Sequence, residues 1–123
     1  MAEWVATGDH FIEADVIRWT EGVFQARRRK TGKAVKLGER LMIAEVLRED
    51  GEWVHLLVRH CELVLIKTGW LPRQIPLLHN GEETKRKRNT IARGKAERLR
   101  WSDESARSIV ASKFLGPGMD ADD

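Results

Sequence analysis

Two apolar stretches on either side of Asp50-Gly51 restrict this chain more than any other feature. LMIAEVLRE, residues 41 to 49, and EWVHLLVR, residues 52 to 59, flank a dipeptide suited to the left-handed angles of a tight hairpin turn. Leu, Met, Ala and Glu would support a helix over 41–47 on propensity alone. The turn and the β-rich partner decide for a hairpin, with Leu41–Leu47 antiparallel to Trp53–Arg59.

The neighbouring residues extend this pattern. In FIEADVI, residues 11 to 17, Ile12, Ala14 and Val16 share one face of an extended chain and Glu13 and Asp15 the other. Trp19-Thr20-Glu21-Gly22 supplies a turn into a second strand, Val23 to Arg29. There Phe24 and Ala26 alternate with Gln25, Arg27 and Arg29, which leaves both arginines on the solvent face; Thr31-Gly32-Lys33 closes the stretch. Leu63 to Ile66 reads as a fifth strand after a bulge at Cys61-Glu62.

The predicted fold is therefore mainly β: a small antiparallel five-stranded barrel, SH3-like or OB-like, over residues 11–66. Closure is how a small all-β domain hides its strand edges. Residues 67–84, with Trp70, Leu71, Ile75, Leu77 and Leu78, form a loop packed on that core, and 85–101 a basic connector, unordered or a frayed helix. A C-terminal α-helix follows over 102–116, capped by Ser102, with Asp103 and Glu104 in its first turn and Gly116-Pro117 at its end. Ile109, Val110 and Phe114 form its apolar stripe, and Trp101 staples onto Ala106. Residues 117–123 are an acidic flexible tail.

Several function classes fall away. Cys61 is the single cysteine, so no intramolecular disulfide forms, which fits a reducing compartment. The first ten residues lack the apolar core of a secretory signal, and His55, Arg59, His60 and Glu62 interrupt the longest apolar stretch. The expected location is cytoplasmic, without membrane contact. His10, His55, His60, Cys61 and His79 have no metal-site spacing, and the pairs Glu13/Asp15 and Glu82/Glu83 read as solvated carboxylates. Gly32, Gly38, Gly51 and Gly94 make neither a dinucleotide fingerprint nor a phosphate loop. No catalytic residue, metal, cofactor or small-molecule substrate is inferred, and the expected protein is not an enzyme.

Charge distribution carries the functional content. Residues 27–40 hold seven cations against Glu39, a net +6, and residues 85–100 hold eight against Glu97, a net +7, in a chain whose total is only +3. Such blocks attract phosphates by releasing condensed counterions. The expected nucleic-acid contacts are Arg27, Arg29, Lys30, Lys33, Lys36, Lys85, Arg86, Lys87, Arg88, Arg93, Lys95, Arg98 and Arg100, on DNA or RNA, with little base reading. The bland reading is a solvated face, and Lys85-Arg86-Lys87-Arg88 also resembles a nuclear-import run. Trp19 and Trp70 are candidate stacking platforms, whereas Trp53 and Trp101 are expected to be buried. The rival function is a protein-interaction module, docking a partner through the C-terminal helix or a barrel edge.

Overall fold

The computed structural model describes residues 3–7, 11–25 and 34–114. Along the chain these form β1 (Trp4–Ala6), β2 (Val16–Gln25), β3 (Val35–Asp50), β4 (Trp53–Ile66), β5 (Glu83–Lys87), α1 (Arg88–Arg93), β6 (Glu97–Leu99) and α2 (Glu104–Phe114). A short 3-10 turn, Pro72–Gln74, interrupts the connection between β4 and β5. The six strands make one antiparallel sheet in the order β1-β6-β2-β3-β4-β5. It is mainly β as the sequence predicts, but the sheet is not closed, and six strands replace five among the described residues. No helix among them is long and apolar enough to cross a membrane.

The hairpin at Asp50-Gly51 is present. Asp50 pairs with Trp53, and Gly51, at φ +63°, takes the first of the two turn positions, where the backbone angle disfavours a side chain. Both arms are longer than predicted because bulges absorb local breaks in the pattern: Leu47 is the extra residue in β3, and Arg59 and Val64 are the extras in β4. Leu63–Ile66 is therefore the far end of β4 and not a separate strand.

The N-terminal strands differ more. Trp19–Gly22 is not a turn; β2 runs through it and stays paired with β3 from Val16 to Gln25. Uninterrupted parity sends Ile17, Trp19, Glu21 and Val23 inward and turns Phe24 outward, since a one-residue change of register flips every side chain. Phe11 and Ile12 are both buried, and the tight turn lies at Glu13-Ala14, with Ala14 at φ +75°. Reciprocal backbone bonds between Val46 and the Ala14–Asp15 pair stitch this turn to β3.

The larger apolar cluster joins Ile17 and Trp19 of β2, Met42, Ala44 and Val46 of β3, and Val54, Leu56 and Val58 of β4, with Phe11 and Ile91 reaching in from outside the sheet. Each fully buried side chain of this size contributes about 1.5–3 kcal/mol. A smaller cluster of Val23, Leu37 and Ile75 lies toward the other end of the long strands. Ile75 thus seats the segment after β4 on the sheet.

Residues 85–100 are ordered as β5, α1 and β6, where the sequence suggests an unordered or frayed connector. Cross-strand pairing overrides weak local propensity: Lys85, Arg86 and Lys87 face His55, Val54 and Trp53. At α2, Asp103 and not Ser102 is the cap, its Oδ1 accepting the backbone N–H groups of Ser105 and Ala106.

Candidate nucleic-acid interface

Glu21 is a carboxylate on the inner face of β2, opposite Arg40 in the β2–β3 register. Its position in the strand would leave a charge among apolar neighbours, and four donor nitrogens from three side chains compensate. Trp19 Nε1 and Arg86 Nε donate to Oε1 at 3.0 and 2.9 Å, while Arg40 Nε and Arg86 Nη2 donate to Oε2 at 2.9 and 3.1 Å. Burial pushes the Glu21 carboxyl up, but the bonds and charge of Arg86, with the bonds of Trp19 and Arg40, outweigh it and hold it below the ordinary carboxylate value. One carboxylate thus holds two arginines at the edge of the core.

Beyond Thr20, no strand pairs with the second edge of β2 among the described residues. α1 approaches there: Thr20 N–H donates to Gly94 O at 3.1 Å. The contact is so close that a Cβ on Gly94 would lie 2.2 Å from Thr20 O. Two clefts of about 560 and 510 Å³ flank this contact and share Thr20, Arg93 and Gly94. The first is lined by Phe24, Arg40, Arg86 and Thr90 as well, the second by Arg18, Glu39, Lys95 and Glu97.

The structure divides the predicted contact residues into distinct groups. Arg86, Arg88, Arg98 and Arg100 are ion-paired to Glu21, Glu49, Glu104 and Glu3 at 2.9, 2.9, 2.8 and 2.6 Å. Lys36 pairs with Glu39 at 2.6 Å, and Lys87 lies 3.9 Å from Glu52. Lys85 and Lys87 stand over the Trp53 ring, 4.8 and 5.5 Å from its centroid. Arg93 donates from Nε to Asn89 O at 3.3 Å, its two terminal nitrogens have no hydrogen-bond partner among the described residues, and the side chain lines both clefts. Lys95, also exposed, has no ion-pair partner among the described residues. Arg27, Arg29, Lys30 and Lys33 lie outside the described residues.

The aromatic expectations change too. Trp19 is 1% exposed in the core and its indole is committed to Glu21, so it offers no stacking face. Trp70 is half-buried on the smaller cluster. Trp4, which the sequence reading passed over, carries the Arg18 guanidinium 4.3 Å from its ring centroid. Phe24 was also missed: it is 55% exposed and its ring lies against Gly22.

A second polar centre holds α2. Asp15 is fully buried, contrary to its expected solvent-facing place beside Glu13. It accepts Trp101 Nε1–H at 3.0 Å, Arg107 Nε and Nη2 at 2.9 and 2.7 Å, and the backbone N–H of Ile12 at 3.2 Å. The indole of Trp101 is therefore a hydrogen-bond donor in this centre and not a simple apolar staple. Arg98 donates to both oxygens of Glu104, and these bonds hold the Glu104 carboxyl down at about 2. Ile109 of the expected apolar stripe is 59% exposed, and the side chains of Val110 and Phe114 lie outside the described residues; among the described residues, Asp15 and Glu104 fasten α2 and the turn before it by charge.

Among the described residues no three His, Cys, Asp or Glu side chains gather as a metal site. No protein-family profile matches the chain, and comparison with curated proteins and with solved structures finds no match.

Proposed function

We propose that this chain is a non-enzymatic, cytoplasmic nucleic-acid-binding protein whose contacts run along the two clefts at the free edge of β2. The observation that carries the reading is Arg93-Gly94-Lys95: two exposed cations without carboxylate partners among the described residues, held against Thr20 where the clefts meet. A guanidinium with two free donors suits the forked contact that phosphate oxygens offer. The clefts add the paired arginines 18, 40 and 86, whose carboxylate partners leave a smaller net charge. The sheet is read as an open SH3-like barrel, because α1 and β6 return the β2–β5 meander to β2.

Anisotropy of labelled oligonucleotides across a salt series tests this. Arg93→Ala with Lys95→Ala should weaken binding on every sequence and flatten the slope of log affinity against log salt by roughly 1–2 on duplex DNA. Thermal stability should barely move, because exposed charges contribute little to folding. Absence of binding by the unaltered protein at low salt would remove the reading. It would favour the rival in which α2 docks a protein partner, a reading supported by the exposed Ile109.

A further inference from the structure

We infer that the Phe24 end of the larger cleft is a subsite for one unstacked base of a single-stranded nucleic acid, with the adjoining phosphate on Arg93. This rests on the nucleic-acid reading above and specifies which form of nucleic acid the cleft takes.

Three observations converge on it. Phe24 is a large aromatic side chain left 55% exposed on a strand whose alternate residues are buried. The ring is laid low over β2: a Cβ on Gly22 would come within 2.8 Å of Phe24 Cε1, so glycine at 22 leaves the space that the ring occupies. Phe24 and Arg93 line the same cleft of about 560 Å³, together with the Thr90 hydroxyl-bearing side chain. That volume lies within the roughly 300–1,000 Å³ typical of sites that enclose a small organic group.

The chemistry selects a single strand. An aromatic face in a concavity can pair only with a base whose own face is free, whereas bases in a duplex are stacked on one another. A guanidinium beside the ring supplies the phosphate contact that holds the strand in register. Arg40 and Arg86 are less available for that contact, because Glu21 already accepts from both. Arg93 is the cation of this cleft whose two terminal nitrogens have no hydrogen-bond partner among the described residues.

The test uses the full chain with labelled 12-mers of deoxythymidine and of uridine and a blunt duplex of the same length, by anisotropy at low salt. Phe24→Ala should weaken binding to the single strands by roughly tenfold, the usual loss for one stacked base, and leave duplex binding unchanged. Phe24→Trp should retain single-strand affinity, and its added fluorescence should be quenched by the oligonucleotide. Single-strand affinity unchanged in Phe24→Ala, or an equal loss on strand and duplex, would overturn the subsite while leaving the phosphate-binding reading standing. Displacement of the 12-mers by millimolar mononucleotide would also overturn it, in favour of a free-nucleotide site. If the unaltered protein binds neither strand nor duplex, both inferences fail together. Circular dichroism of each variant separates a lost contact from a lost fold.

Discussion

Arg86 Nε donates to Glu21 Oε1 across 2.9 Å, joining residues 65 positions apart in the chain. Arg86 reaches the carboxylate from β5 and Arg40 from β3, so one ionised group ties three strands at the rim of the core. Removing the negative charge would leave two guanidinium groups facing each other over a buried amide. Glu21→Gln should therefore cost on the order of 3 kcal/mol in urea unfolding, the usual consequence of breaking a buried pair. The folded carboxyl lies below its ordinary value of 4.5, so its contribution is complete above that pH and is lost as pH falls through the folded value. The variant should accordingly lose less stability than the parent on acidification below pH 4.5; equal urea midpoints at neutral pH would contradict the assignment.

Asp15 and Arg107 make the corresponding prediction for α2. Arg107→Ala leaves a fully buried carboxylate with one indole and one backbone donor, and should destabilise by about 3 kcal/mol. Ile109→Ala, at a 59% exposed position, should change stability by no more than about 0.5 kcal/mol. The reverse ranking in thermal unfolding would mean that an apolar seam fastens the helix after all.

Two glycines should fail for different reasons. Gly94→Ala places a methyl group 2.2 Å from Thr20 O, so backbone must move, at a cost of roughly 1–3 kcal/mol or more, and the clefts should deform with it. Gly51→Val meets nothing within 4 Å, and its penalty is conformational, about 1–2 kcal/mol for a side chain at φ +63°. Only the first substitution should perturb the amide resonances of Thr20 and Arg93. Perturbation of both sets by Gly51→Val would contradict this.

Acid should break the Arg98–Glu104 pair late. Arg98 holds the Glu104 carboxyl at about 2, below its ordinary 4.5, so this fastening is complete above pH 4.5 and disappears as pH falls through about 2. The Trp101 backbone amide resonance, which reports the bond to Glu104 Oε2, should persist at pH 4 in the parent. In Arg98→Ala it should shift or broaden at higher pH than in the parent; identical titrations would separate Glu104 from the helix attachment.

The hairpin and the helix were legible in residues 41–59 and 102–114 because their signals are local. A glycine between two apolar strands and an acidic first turn act over a few residues, whatever the rest of the chain does. The Phe24 end of the clefts was not legible, since its exposure depends on whether β2 turns at Gly22 or continues. Continuation is decided by pairing with Glu39 of β3, and by the two arginines that make Glu21 tolerable inside.

The charge of residues 85–100 shows the same division. Composition alone determines that eight cations occur there with one carboxylate, and hence that the stretch is locally basic. Whether each cation is free depends on carboxylates remote in sequence: Glu3 lies 97 positions from Arg100, and Glu49 lies 39 from Arg88. Strand pairing and the packing of α2 bring those partners together, and only a Coulomb interaction at close range neutralises a charge so fully. The sequence by itself thus determined a β-rich chain with a hairpin, a terminal helix and basic blocks. The tertiary structure decided which of those cations are consumed in holding the fold and left Arg93 exposed in the cleft that Phe24 lines and Lys95 exposed in the neighbouring one, because ion pairing depends on distance in space and not on spacing along the chain.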